Sequence, residues 1–266
     1  MFSNKLEFLN SILNLFNAKS YRQINEKKIQ SIIDLFKPFN LNIQLKRIGS
    51  ENDGGYLVPN ILDELKYCFS PGVGNSSSFE KDLEKYNITS FLADKNVLEP
   101  PAKLKNFNFV KKNINSYNSN DKININDWIY SKIDKSEIDK SILQIDVEGF
   151  EYEILLSINV EILSKIKILI IEFHSLELIG NEFFYNIVKS TLEKIKLYYT
   201  PIHIHPNNCC GIHKVSKFKI PSVLEVTFLN NILVEKKTEI NYLPHKLDNK
   251  NIKKKDDIKL ESYWYK

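Results

Sequence analysis

The chain reads ILQIDVEGFEYEIL at residues 142–155, where an apolar run gives way abruptly to acidic residues and a glycine. The apolar run has the length and composition of a buried strand that ends at Asp146, and the residues after Gly149 are typical of a helix. Open α/β folds bind their ligands at the carboxyl ends of such strands. The segment therefore predicts an α/β fold with a functional site at Asp146.

Length and composition are those of an ordinary globular protein. The 266 residues are 42% hydrophobic and 26% charged, which suits one large α/β domain. The net charge of +4 is too small to demand a nucleic-acid partner. The longest apolar run, residues 165–173, has the size of a strand and predicts no membrane span.

The cysteines and the first residues of the chain predict a cytoplasmic location. Cys68, Cys209 and Cys210 are odd in number and include an adjacent pair, which argues against a disulfide framework and for a reducing compartment. Adjacent cysteines ligate one tetrahedral zinc poorly, and no Cys-x-x-Cys is present, so a zinc site is rejected. The first residues lack the layout of a signal peptide.

Strands and helices alternate along most of the chain, which predicts a mostly parallel sheet covered on both faces. The predicted strands are residues 66–70, 89–93, 107–111, 141–147, 165–173, 198–205 and 223–229. The predicted helices are residues 78–85, 126–133, 150–158 and 183–196.

Three regions follow from the same patterns. Residues 1–42 form an N-terminal helical cap, with apolar residues at helical spacing, that packs on the domain or forms a homodimer with a second copy. Residues 43–235 form the main domain, and residues 236–266 form a charged C-terminal extension. Within it, residues 249–259 are expected to be a solvated tail rather than a nucleic-acid arm.

A glycine turn follows the first core strand and predicts a nucleotide-type cofactor. Gly72 and Gly74 allow a sharp turn and close approach of a ligand, and Asp94 ends the next strand at the right distance to accept ribose hydroxyls. NAD and S-adenosylmethionine both suit this arrangement, but Ser77 stands where a dinucleotide fingerprint has its third glycine. S-adenosylmethionine is therefore favoured, with Ser78 among the binding residues; an ordinary strand-to-helix turn remains the alternative.

A second glycine element lies upstream, at Asp53-Gly54-Gly55-Tyr56. Asp-Gly-Gly is typical of a plain hairpin turn. The same loop could fold over the amino-acid end of the cofactor, with Asp53 near its ammonium group. In that interpretation Asp53, Gly55 and Tyr56 are cofactor-binding residues, as is Asp146.

Acids and imidazoles end three of the predicted strands. Asp146 ends one, Glu172 and His174 end the next, and His203 and His205 lie on one face of a third. We expect these groups to meet at the carboxyl edge of the sheet. They suit either a divalent cation, Mg or Mn, held by Asp146, Glu172 and His174, or a general base at His174 or His205. The alternatives are histidines bonded in the core, and Glu148, Glu151 and Glu153 facing solvent.

Several of these segments resemble the FkbM family of S-adenosylmethionine-dependent methyltransferases. Residues 143–151 look like its hallmark K-I-D-V/I-E-G-x-E, with Gln144 in place of the usual lysine. The other similar segments are residues 70–80, 171–174, 203–208 and 221–227, so that the resemblance runs from about residue 47 to residue 229. It implies a class I methyltransferase fold, with a seven-stranded sheet whose last strand is antiparallel, and cofactor contacts at Gly72, Gly74 and Asp94.

The resemblance also implies O-methylation, commonly of sugars in surface polysaccharides, glycolipids or secondary metabolites. The expected function is methyl transfer to a hydroxyl of a sugar or sugar-derived acceptor, with His174, His205 and Asp146 as catalytic residues. The alternatives are a methyltransferase for a small metabolite or nucleic acid, an NAD-dependent oxidoreductase, and a non-catalytic binding module of the same fold.

Overall fold

The computed structural model describes residue 10 and residues 23–266. The strands are β1 (Phe39–Asn40), β2 (Leu45–Gly49), β3 (Gly55–Pro59), β4 (Tyr67–Pro71), β5 (Thr89–Ala93), β6 (Phe107–Val110), β7 (Asn113–Asn115), β8 (Lys122–Asn124), β9 (Ser141–Ile145), β10 (Ile168–Phe173), β11 (Tyr199–Pro206), β12 (Ile212–Val215), β13 (Phe218–Pro221), β14 (Leu224–Asn230) and β15 (Thr238–Glu239). The α-helices are α1 (Glu26–Phe36), α2 (Ser78–Leu83), α3 (Ile125–Tyr130), α4 (Glu151–Ser157), α5 (Val160–Leu163) and α6 (Glu182–Lys196).

A seven-stranded sheet forms the centre of the described chain, in the order β11-β14-β10-β9-β4-β5-β6. The strand β14 runs antiparallel to both of its neighbours, whereas the pairs from β10 to β6 are parallel. The predicted fold, a mostly parallel sheet whose last strand is antiparallel, is confirmed. Because β4, β5, β9 and β10 run the same way, their carboxyl ends share one edge of the sheet.

The two faces of the sheet bury separate apolar clusters. One includes Ile145, Leu169 and residues of α1, α4 and α6. The other lies under the antiparallel hairpin β2–β3 and α2, where it includes Phe79 and Ile170. The strands β9 and β10 are buried along their whole length, which explains why their sequences read as continuous apolar runs.

The described part of the predicted N-terminal cap packs on the sheet. Ile29, Ile32, Ile33 and Phe36 of α1 are buried, and the rings of Phe36 and Phe173 meet edge to face at 5.1 Å. The first part of the predicted cap, residues 1–22, lies outside the described residues apart from residue 10. Its proposed part in a homodimer stays a prediction.

The expectation of a solvated tail at residues 249–259 is wrong at Asn251, and two residues beyond that tail, Leu260 and Trp264, are buried as well. Residues 253–257 are exposed, but Asn251, Leu260 and Trp264 are buried, and the Trp264 indole N–H donates to the carbonyl of Lys219 at 3.2 Å. Asn251 and Leu260 occur singly among mostly polar and charged residues, and Trp264 stands between two tyrosines, so their burial produces no periodic pattern in the sequence. The domain boundary at residue 235 stays a prediction. Among the described residues, no helix is long and apolar enough to cross a membrane.

Candidate active site

The glycine turn after β4 touches the end of β9. Gly72 has a φ of +86°, and a Cβ built on it would lie 1.5 Å from the carbonyl oxygen of Asp146. The Gly72 N–H donates to the Ala93 carbonyl at 2.9 Å, which fixes the turn to β5 as well. Only glycine fits here, because any side chain would collide with the backbone of Asp146, the residue that follows β9.

The predicted ribose acceptor is joined to the same turn. The Asp94 carboxylate accepts the N–H of Gly74 at 3.0 Å and the N–H of Asn96 at 2.7 Å. It is mostly buried at the end of β5, and no atom lies within 4 Å of a Cβ built on Gly74. The structure thus holds a carboxylate in a fixed orientation beside open space, which suits a nucleoside with a vicinal diol.

The upstream glycine element is a hairpin, as its turn signature predicts. It joins β2 to β3, and a Cβ on Gly55 would meet the Ser50 carbonyl oxygen at 1.9 Å. Gly55 therefore serves the turn itself. Ser78 links this turn to the start of α2, because its hydroxyl donates to the Gly54 carbonyl at 3.3 Å.

Tyr56 is buried, and its hydroxyl belongs to a chain of hydrogen-bonded polar side chains. Its hydroxyl accepts from the Gln144 amide at 3.2 Å, and Ser70 donates to Gln144 Oε1 at 2.6 Å. The Ser70 hydroxyl also contacts the carboxyl of Glu80, whose pKa is raised by burial. Gln144, which replaces the family's lysine, can bond at once to a hydroxyl on each side without bringing a buried charge.

His174 is held by the helix that begins with the acidic segment. The side chain of Glu151 is fully buried and accepts the His174 backbone N–H at 2.7 Å and the Gly149 N–H at 2.9 Å. Glu151 Oε1 also lies 3.4 Å from His174 Nδ1, and the Tyr152 hydroxyl donates to the His174 carbonyl at 2.7 Å. A buried carboxylate therefore faces the Nδ1 side of the imidazole.

The other ring nitrogen of His174 faces an open group of acids. Nε2 lies 3.5 Å from Glu148, 3.9 Å from Asp146 and 4.0 Å from Glu172. Glu148 is exposed and has a φ of +53°, a left-handed conformation that a glutamate seldom adopts. This backbone geometry brings the Glu148 carboxylate back toward the ring.

The acids and the imidazole change one another's proton affinity. Burial lowers the pKa of His174, but the Glu151 carboxylate and its acidic neighbours outweigh it, so that the pKa is raised overall. Burial raises the pKa of Asp146 to about 7, although the attraction of His174 opposes that shift. A general base is most effective when its pKa lies near the working pH, so this environment suits proton transfer.

A second group of carboxylates adjoins the first. Oxygen atoms of Asp53, Glu172 and Glu225 lie within 4.8 Å of one another, and the Asn207 and Asn251 amides lie between them. Burial is the main cause that raises the pKa of Glu225 to about 8 and that of Glu172 well above its usual value; neighbouring carboxylates also raise both. The predicted cation set is thereby divided: Asp146 and His174 group with Glu148, whereas Glu172 groups with Asp53 and Glu225.

His203 and His205 lie on one face of β11, as predicted, but not beside His174. His203 Nε2 is 3.0 Å from the Asp248 carboxylate, and His205 Nε2 is 3.1 Å from Asn251 Oδ1. His205 is almost fully buried, and this burial lowers its pKa. A direct catalytic role for His205 is not favoured, because Asn251 stands between its ring and the carboxylates.

The structure brings most of the predicted residues to one edge of the sheet. Gly72, Asp94 and Asp146 are connected through the β4 turn, and His174 follows at the end of β10. The sequence analysis missed site roles for Glu151, Asn207, Glu225 and Asn251. The hallmark segment contained a signal for Glu151, because its final glutamate is part of the family's pattern, whereas nothing in the sequence pointed to Asn251.

The fold and the site together define an α/β methyltransferase: a seven-stranded sheet with an antiparallel strand, a glycine turn at the end of β4 and an oriented carboxylate at the end of β5. The sequence model described as Methyltransferase FkbM domain matches residues 52–194, more than half of the chain. The protein therefore belongs to the FkbM methyltransferase family and is a methyltransferase that uses S-adenosylmethionine. The open space beside the glycine turn and the oriented Asp94 suits a nucleoside, and the neighbouring carboxylates suit a cationic group, both of which that cofactor has.

Comparison with solved structures gave matches of low identity. One is a fibrillarin pre-rRNA processing protein of Methanococcus jannaschii, at 11% identity and a TM-score of 0.39, covering 64% of this chain and 68% of that one. Another belongs to a fibrillarin/Nop5p complex, at 12% identity and a TM-score of 0.39, covering 73% of this chain and 98% of that one. No curated protein matches the chain.

Proposed function

We propose that this protein transfers the methyl group of S-adenosylmethionine to a hydroxyl of a sugar or sugar-derived acceptor, in the biosynthesis of a surface polysaccharide in the cytoplasm. The observation that carries the proposal is the environment of His174, an imidazole with a raised pKa whose Nδ1 faces Glu151 and whose Nε2 faces Asp146 and Glu148. A hydroxyl acceptor must lose a proton during methyl transfer, and this is the group that such chemistry requires.

The cofactor is expected to lie across the ends of β4, β5 and β9. Asp94 would accept the ribose hydroxyls, and the Gly72–Gly74 turn lets the backbone approach the nucleoside. The methionine end would reach the hairpin turn, where Asp53 presents an exposed carboxylate to its ammonium group. When bound, S-adenosylmethionine supplies a methyl group already activated on a sulfonium, so the protein's task is alignment and removal of the acceptor's proton.

Exposed aromatic rings near Glu148 support a sugar acceptor. Phe150, two residues after Glu148, is 51% exposed, and Tyr117 is 48% exposed. Lys122 lies over both rings, with its ammonium 4.6 Å from the Tyr117 centroid and 5.8 Å from that of Phe150. Flat apolar rings beside charged groups suit a ligand with C–H faces and a hydroxyl rim, as a pyranose has.

A divalent cation offers a second route for the acceptor's proton. Carboxylate oxygens and an imidazole are ligands that Mg²⁺ or Mn²⁺ accepts, and Asp146, Glu148 and His174 present such atoms within 4.8 Å of one another. These residues would hold the ion, which would lower the pKa of a bound hydroxyl and orient it. Glu172, the third ligand predicted from the sequence, is 4.0 Å from His174 Nε2 and would lie next to that ion.

The test replaces His174 by glutamine and follows methyl transfer from labelled S-adenosylmethionine to a panel of monosaccharides, nucleotide sugars, small hydroxyl-bearing metabolites and RNA. We expect kcat to fall roughly 10²- to 10⁴-fold, the usual contribution of a general base, with cofactor affinity little changed. His213→Gln, an exposed histidine on β12, is the matched control. Full turnover in His174→Gln would refute the base, and labelling confined to a small metabolite or RNA would refute the sugar acceptor. Repeating the wild-type assay after chelation, with Mg²⁺ added back, decides whether an ion takes part.

A further inference from the structure

The three carboxylates at the hairpin side of the site alternate with two carboxamides. Asn207 Nδ2 donates to Glu172 at 2.9 Å and to Asp53 at 3.3 Å. Asn251 Nδ2 donates to Asp53 at 3.1 Å and to Glu225 at 2.5 Å. The row Glu172, Asn207, Asp53, Asn251, Glu225 therefore has an amide donor between each pair of acids.

The orientation of the Asn251 amide is fixed from its other end. Its Oδ1 lies 3.1 Å from His205 Nε2, so with an N–H at that nitrogen the amide oxygen accepts there and the NH₂ group faces the carboxylates. Its backbone carbonyl accepts the Asp53 N–H at 3.3 Å, which joins the tail to the hairpin turn directly. Asn251 is 5% exposed, so water competes little for these bonds.

We propose that Asn251 is a positioning residue of the methyl-transfer site, which holds the Asp53 carboxylate and the Glu225 side chain toward the cationic end of S-adenosylmethionine. The C-terminal extension thereby completes the cofactor site from outside the segment matched by the family, residues 52–194. Asp53 is exposed and 198 residues from Asn251 along the chain, and without the Asn251 amide its side chain would keep only the longer hydrogen bond from Asn207. Glu225 would lose a donor while buried.

This assignment also gives His205 a role that differs from the one expected for it. His205 orients the amide of Asn251, and it acts on the site through that residue rather than on the acceptor. The inference rests on cofactor binding by this family and does not depend on which acceptor is methylated.

The test compares two substitutions at one position by calorimetric titration with S-adenosylmethionine. Asn251→Asp keeps the shape of the side chain but turns an oxygen toward two carboxylates, so we expect Kd to rise by at least about tenfold, the loss of one charge-assisted hydrogen bond. Asn251→Ala removes the donor without adding charge, and we expect a smaller rise. At saturating cofactor, kcat should stay near that of the wild type, so that the loss appears in KM for S-adenosylmethionine.

The controls separate positioning from packing. Lys253→Ala changes an exposed residue of the same tail and should leave Kd unchanged. Thermal unfolding shows whether each variant is folded. If Asn251→Asp does not fold, Asn251→Ala supplies the comparison. Wild-type Kd in a folded Asn251→Asp or Asn251→Ala would overturn the inference. A wild-type protein that binds no S-adenosylmethionine would instead overturn the proposed function.

Discussion

Replacing Gly72 by alanine tests the contact between the cofactor turn and β9. The new Cβ would lie 1.5 Å from the Asp146 carbonyl oxygen, and real Cβ atoms essentially never come closer than 3.0 Å to a neighbour. The ends of β4 and β9 would therefore have to separate by roughly 1.5 Å. The contacted atoms, the carbonyl oxygen and carbon of Asp146, belong to the backbone, so no flexible side chain can absorb the movement.

Two costs add in this variant. A left-handed residue other than glycine costs about 1–2 kcal/mol, and forcing an atom into a packed region costs about 1–3 kcal/mol. The expected loss in the free energy of unfolding is the sum, about 2–5 kcal/mol, against a typical total of about 5–15 kcal/mol. Gly74→Ala is the matched control, because Gly74 also has a positive φ, +52°, but a Cβ there meets nothing within 4 Å. The free energy of unfolding of Gly74→Ala should fall only by the cost of the left-handed conformation, about 1–2 kcal/mol.

Urea unfolding followed by circular dichroism measures both variants, and calorimetry measures the binding of S-adenosylmethionine to the folded fraction. We expect Gly72→Ala to bind no cofactor, because the displaced Asp146 backbone carries the site with it. If Gly72→Ala is no less stable than Gly74→Ala, the close approach of the two strands is wrong.

Asp94→Asn should raise the Kd for S-adenosylmethionine by roughly tenfold or more in calorimetric titrations, because the ribose loses a charged acceptor. Replacement of the exposed Asp134 by asparagine is the control. Equal affinities of the two variants for the cofactor would exclude Asp94 from the site. Burial raises the pKa of Glu225 to about 8, so between pH 4.5 and about 8 the folded protein keeps a proton that the unfolded chain has lost, and stability falls as the pH rises through that window. Glu225→Gln should remove up to about 1.4 kcal/mol per pH unit of this slope, measured from urea midpoints, and an unchanged slope would contradict the burial of a neutral acid.

The sheet was predictable because its signals are local. The strands β5, β9 and β10 are short apolar runs bounded by polar residues, and the structure places them within three residues of their predicted limits. The small sheet of β7 and β8 was not predicted, because these strands have three residues each, too few to show a period. The buried Trp264 had no periodic partners in sequence, because it packs against α1 and β13 rather than within an element of its own.

The site residues at the ends of the sheet strands were predictable from the sequence. The site residue in the C-terminal extension, Asn251, was not. Asp146 and His174 meet because β9 and β10 are parallel neighbours, a consequence of topology. Glu151 was open to two interpretations, since an acid in the first turn of a helix usually faces solvent, whereas here it accepts two backbone N–H groups. The place of Asn251 follows from contacts across 198 residues, and no pattern within the extension encodes them.

The hydrogen bonds between Asp53 and Asn251 have a consequence for how the protein acquires activity. Contacts between residues so far apart in sequence form late more often than local contacts, so we expect the hairpin and the extension to meet after the intervening sheet has formed. Intermediates that already have the central strands would still lack an organised pocket. Recovery of cofactor affinity during refolding should consequently lag behind recovery of secondary structure, which makes ligand binding a reporter of the fully assembled chain.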